Sequence, residues 1–109
     1  MVDIETIKKH ALMFPNVTEE PHFEKTSFRI NKKIFATYDA KKNRVCLKLD
    51  EINQGVFCSF DKRIIYPVDN KWGKQGWTLF EISEIKKEMM LDALNCAYLE
   101  LLKPKSKKK

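Results

Sequence analysis

Residues 25–49 read KTSFRINKKIFATYDAKKNRVCLKL, and this run decides the fold. Its side chains alternate with a period of two, the repeat of a strand whose successive residues face opposite sides. Thr26, Phe28 and Ile30 share one face, and Lys25, Ser27 and Arg29 share the other. Ile34, Ala36 and Tyr38 alternate in the same way with Phe35, Thr37 and Asp39, as do Val45, Leu47 and Leu49 with Arg44, Cys46 and Lys48. Asn31-Lys32 and Lys41-Lys42-Asn43 interrupt the pattern with turn-forming residues, so the run predicts three antiparallel strands joined by two hairpins. Placing the apolar sets inward leaves Lys25, Arg29, Arg44 and Lys48 on the outer face, together with Phe35.

Working back toward the amino terminus, Ile4, Ile7 and Ala11 repeat with helical spacing behind a capping Asp3, with Glu5 in the first turn. This predicts a helix over residues 4–13, which Pro15 bars from continuing. Residues 18–21 read as a polar connector with a proline of its own.

Working forward, Ile52, Val56 and Phe60 recur at i, i+4 and i+8 and predict a short helix over about residues 50–59, despite Gly55. Residues 63–68 read as a fourth strand, with Pro67 at an edge or a strand end. Residues 77–82 read as a fifth, with Thr78, Phe80 and Ile82 opposite Trp77, Leu79 and Glu81. The connection between them, YPVDNKWGKQGW at residues 66–77, holds both tryptophans and two of the three glycines. Ser83 is a suitable N-cap for a final helix carrying Met90, Leu94, Ala97 and Leu101 inward and ending before Pro104. The expected fold is α+β and two-layered, an antiparallel five-stranded sheet packed by helices in the order α-β-β-β-α-β-β-α. One domain spans residues 1–102, followed by a lysine-rich tail at 103–109.

The composition fits a soluble globular domain: of 109 residues, 43% are hydrophobic and 33% charged. No apolar run approaches the roughly 20 residues a membrane helix needs, and no signal peptide opens the chain, which makes a cytoplasmic location the expectation. Three cysteines without C-x-x-C spacing read as reduced thiols. The formal charge of +6 is concentrated in the tail, whose five lysines account for all but +1 of it. Bulk charge therefore says little about the body, and local clusters matter more.

No catalytic or metal-binding constellation is complete. Glu19, Glu20, His22 and Glu24 lack the paired histidine or cysteine ligands of a zinc site. The phosphate loops, nucleophile elbow and zincin motifs of common enzyme classes do not occur. The expectation is a noncatalytic protein without a cofactor.

The chain resembles the MmcQ/YjbR-like family. The resemblance runs from Ile4 to Leu102 and rests on the order and spacing of four stretches. They are Phe14-Pro15-Asn16-Val17-Thr18-Glu19-Glu20-Pro21-His22-Phe23, Lys33-Ile34-Phe35-Ala36, Val45-Cys46-Leu47-Lys48 and Gly76-Trp77. It implies a CyaY-like or secretion-chaperone-like fold and a DNA-binding label attached to wing-like hairpins, with no catalytic residues. Many relatives carry His-Trp-Asn where this chain has Gly76-Trp77-Thr78, so no role of that histidine transfers. Iron binding does not transfer with the fold name either, because Asp3 and Glu5 are the only acids of the first helix.

Two functional expectations follow, of which the first is DNA or other nucleic-acid binding through phosphate contacts. Its residues are Lys32, Lys33, Lys41, Lys42 and Arg44 on the hairpins, with Lys71 and Lys74, and Trp72 as a stacking surface. The alternative is a protein partner or self-association on the open sheet face, marked by outward Phe35, Trp77 and Leu79. Basic residues converging on one concave face would favour the first, and scattered charges beside an apolar patch the second.

Overall fold

The computed structural model describes residues 2–102; the lysine tail lies outside the described residues. The helix α1 (Ile4–Met13) forms as its spacing predicts, with the Thr6 N–H donating to Asp3 Oδ1 at 2.9 Å. Ile7 and Ala11 are its buried residues.

Six strands follow rather than five. They are β1 (Val17–His22), β2 (Lys25–Ile30), β3 (Lys33–Asp39), β4 (Arg44–Lys48), β5 (Ile65–Pro67) and β6 (Trp77–Glu81). All pairings are antiparallel, in the spatial order β1-β2-β3-β4-β6-β5. The segment expected to be a polar connector is the edge strand β1, in register with β2 from Val17 opposite Ile30 to His22 opposite Lys25. An edge position explains the disguise: it accepts charged side chains and a proline, both of which Glu19, Glu20 and Pro21 supply. The other edge, β5, also contains a proline, Pro67.

The two hairpins of the opening run form at the expected places. Asn31 and Lys32 both have positive φ, 50° and 72°, the backbone of a type I′ turn. Asp39 Oδ1 accepts from the N–H groups of Lys41 and Lys42 and shapes the second turn, which Asn43 closes at φ 53°.

The facing of β3 departs from simple alternation. The register with β2 slips between Phe28 and Arg29, which oppose Ala36 and Ile34, so Phe35 is the extra residue of a β-bulge. The bulge turns both Phe35 and Ala36 into the core, at 0% and 1% exposure, and leaves Ile34 on the opposite face. Phe35 is therefore a core residue and no marker of an exposed surface.

The three long helices all pack behind the same face. The main partner is α4 (Lys87–Leu102), which lies over β3 and β4 and buries Met90, Ala93, Leu94, Ala97 and Tyr98. It begins four residues beyond Ser83, which is exposed and caps nothing; a turn between them drives Ile85 fully into the core. The α2 helix (Glu51–Cys58) forms under its N-cap Asp50, whose carboxylate accepts from the Asn53 N–H. Its signal, however, is inverted: Ile52 and Val56 are 77% and 61% exposed and Phe57 alone is buried, edge-to-face on Phe80. A four-residue helix, α3 (Lys71–Lys74), occupies the stretch expected to be a plain connection. The element order is thus α-β-β-β-β-α-β-α-β-α. Among the described residues no helix is long and apolar enough to cross a membrane.

Candidate binding groove on the open sheet face

With α1, α2 and α4 packed behind the sheet, the alternation in each strand decides what the front displays. Cross-strand partners share a face, so the registers can be read as rows. One row is Glu20, Ser27, Thr37, Cys46, Leu79 and Tyr66, neutral apart from Glu20 on the edge strand. The row beside it runs from the His22–Lys25 pair to Asp39, Arg44 and Glu81. Trp77 opposes Lys48 toward the other end of the strands. Lys25, Arg29, Arg44 and Lys48 do lie on this face, but Glu20, Asp39 and Glu81 are interleaved with them.

What converts the face into a groove is α3. Asn70 caps it, its side chain accepting from the Trp72 N–H at 2.8 Å. Gln54 of α2 clamps the far end, donating through Nε2 to the Gly73 carbonyl at 2.9 Å and to Thr78 Oγ1 at 3.1 Å. Gly76 has φ +110° and lies so close to the chain at Leu49 that the Leu49 N–H donates to its carbonyl at 2.9 Å. The short helix is thereby fixed against the sheet and presents Trp72, 49% exposed, over the front face.

The resulting groove encloses about 540 Å³. Its apolar part is lined by Trp72, Trp77, Leu79, Ile34 and Val68, and its polar part by His22, Lys25, Lys42 and Arg44 with Asp39. Thr37 and Cys46 line it as well. Lys25, Lys42 and Arg44 outnumber the single acid Asp39, so the lining is net basic. Arg44 is oriented from the side: its guanidinium lies 3.4 Å from Glu81, and Glu81 accepts a hydrogen bond from the Tyr66 hydroxyl. Burial first, and then the bond to Glu81, hold the Tyr66 phenol above its usual range, so it stays a donor. Arg44 Nε is buried with no hydrogen-bond partner among the described residues.

Of the residues expected to contact nucleic acid, Lys42, Arg44 and Trp72 meet in this groove. Lys32 and Lys33 do not join them. The hairpins share β3, so their turns necessarily sit at its opposite ends, about 23 Å apart for a seven-residue strand. Lys41 reaches away to Glu24, 3.3 Å distant on the neighbouring hairpin. Lys71 and Lys74 line a separate shallow depression with Asp69, Asn70 and Gln54. His22, Lys25 and Trp77 complete the groove and were not among the expected contacts. The outward facing of Lys25 and Trp77 was legible from strand periodicity, but His22 reaches the groove only because β1 is a strand. Glu19, on the opposite face of β1 from Glu20 and His22, pairs with Lys8 of α1 at 3.3 Å. No group of three His, Cys, Asp or Glu side chains among the described residues could hold a metal ion.

Burial pushes the Cys46 thiol up to about 11, against an opposing pull from the Lys25 charge. Iodoacetamide should then modify Cys46 at pH 8 more slowly, by about tenfold or more, than a thiol with the ordinary value of 9.0, as followed by mass spectrometry. The same shift makes the folded state hold a proton that the unfolded chain loses first. Its stability contribution is complete below pH 9 and falls as pH rises toward 11.

The YjbR family model matches residues 12–100, which takes in every strand, α2, α3 and most of α4. The chain belongs to the YjbR family. No curated protein matches it. Among solved structures, the crystal structure of Deinococcus radiodurans protein DR2400, with the family-model domain DUF419, superposes with a TM-score of 0.83. That match has 19% sequence identity and covers 94% of this chain and 80% of the other. At that identity the likeness speaks for the YjbR fold alone, and the groove has to be interpreted from its own residues.

Proposed function

We propose that this YjbR-family chain is a noncatalytic nucleic-acid-binding protein that takes a single strand across its open sheet face. One observation carries the reading: two tryptophans and three cations line the same 540 Å³ groove. Stacking surfaces beside phosphate-pairing cations are what a single strand, with its bases unpaired, requires. Trp72 and Trp77 would stack bases, Lys25 and Lys42 would pair with phosphates, and Arg44, held from the side by Glu81, would supply the third positive charge. A duplex fits less well, because the hairpin lysines stand at opposite ends of β3 and form no continuous track.

The test is a fluorescence-anisotropy titration of a labelled ten-nucleotide oligothymidylate at 50 mM salt, using the full chain and a form ending at Leu102 to separate the groove from the tail. The truncated form is expected to bind, with log K falling against log salt at a slope of about −2 for three phosphate contacts. Trp72→Ala should weaken binding by about 1–3 kcal/mol, and Lys25→Glu with Lys42→Glu should weaken it at least tenfold. Equal binding by the charge-reversed variant and the parent would overturn the reading.

A second reading, self-association, is favoured by Ile52 and Val56 of α2 and by Phe60 just beyond it, which are exposed beside a cleft lined by Phe57, Met89 and Leu91. A truncated chain that binds no oligonucleotide and sediments as a dimer would establish it in place of the first.

A further inference from the structure

Phe23 is 94% exposed, more than any other large hydrophobic side chain among the described residues. It sits at the tip of the β1–β2 hairpin, where the pairing of His22 with Lys25 leaves only Phe23 and Glu24 in the loop. Phe23, the first central residue of this two-residue turn, has φ +60°, in the left-handed region that favours glycine. Glycine is the residue that turn favours at its first central position, since a Cβ there crowds the backbone. The chain thus places a bulky aromatic residue at a position where it is exposed to water and conformationally unfavourable. The fold recovers little of either cost, because the ring is almost wholly exposed and meets only the edge of His22, at 4.8 Å.

The placement makes sense in relation to the groove. His22 and Lys25, the residues flanking the tip, both line its basic part. The Glu24–Lys41 ion pair, 3.3 Å long and exposed, places the tip beside the next hairpin. An unfavourable backbone position that carries an exposed ring at the rim of a binding surface is the mark of a residue kept for contact.

We propose that Phe23 is a third stacking residue, which captures a base of the bound strand beyond the basic end of the groove while His22 supports its ring. The inference rests on the single-strand reading above and extends the footprint from the groove to the hairpin tip.

The variant that tests it is Phe23→Gly in the full chain, because glycine suits the turn and removes only the ring. Its melting temperature is expected to rise. Its affinity for the ten-nucleotide oligothymidylate is expected to fall at least fivefold, and its affinity for a trinucleotide that fills the groove alone to stay within twofold of the parent. Phe23→Trp should retain the parent's affinity, with its indole fluorescence quenched by the longer strand. Unchanged affinity of Phe23→Gly for the ten-nucleotide strand overturns the proposal, and so does a lower melting temperature, which would make the ring a structural element. Trp72→Ala, titrated in parallel, separates the two claims. If it loses affinity and Phe23→Gly does not, only the third stacking site fails; if neither does, the groove reading fails as well. A parent that binds no strand but whose sedimentation coefficient drops on Phe23→Gly would place the ring at a protein contact and also overturn the proposal.

Discussion

Gly76→Ala is expected to lower the melting temperature by roughly 12 °C or more, corresponding to a loss on the order of 3 kcal/mol. Two causes act together. The residue has φ +110°, where a side chain is strained whatever the space around it. An added Cβ would also stand 1.9 Å from the Leu49 carbonyl oxygen. That oxygen belongs to backbone and cannot rotate aside, and retreat of either segment would break the Leu49 N–H bond to the Gly76 carbonyl. Thermal unfolding followed by circular dichroism provides the check, with Gly55→Ala as the control. Nothing lies within 4 Å of a Cβ at Gly55, which is an exposed helical position, so alanine there should stabilise by about 0.5–1 kcal/mol. A Gly76→Ala protein as stable as the parent would mean that this close approach does not exist.

Phe35→Ala is expected to cost about 3–5 kcal/mol, the range for emptying a fully buried aromatic site. The ring is 0% exposed and meets Tyr98 of α4 edge-to-face, with centroids 6.1 Å apart. A phenylalanine on the outer face, as strict alternation would place it, should change stability by no more than about 0.5 kcal/mol when truncated. The midpoint of urea unfolding separates the two outcomes. The slope of the transition should stay that of the parent, because the deletion empties a site without changing how much surface unfolding exposes.

Phe35 also shows where the sequence stops being informative. A strand's period of two reveals its facing only while the pairing stays regular, and the bulge in β3 inserts a residue that alternation cannot register. Where no bulge intervenes, in β4 and β6, every inward and outward assignment agrees with the burial. The first helix was legible to the residue because Asp3 caps it and Pro15 follows it. The last was not, because Ser83 looks like a cap while the buried Ile85 holds the chain in a turn until Lys87. β1 was hidden by Pro21 and its neighbouring acids, which mark an edge as readily as a loop. The apolar stripe of α2 gave the right helix and the wrong side, since helical spacing shows that a face exists and not that anything covers it.

The groove was legible in its parts. Lys42, Arg44 and Trp72 could be singled out by residue type, but their convergence depends on α3, a helix too short to carry a periodic signal. That Lys32 and Lys41 lie far apart follows from connectivity alone, as consecutive hairpins turn at opposite ends of their common strand. The expectation of one basic surface built from both hairpins did not take this into account.

The two prolines at the rims of the sheet bear on how the protein behaves when concentrated. Pro21 on one outer strand and Pro67 on the other each remove an amide hydrogen that an incoming strand would need, and β5 is only three residues long. A second molecule therefore finds no uninterrupted ladder on which to continue the sheet, and growth into fibres by strand addition is blocked at both borders. The sheet can stay open to solvent on its front without becoming a template for its own polymerisation.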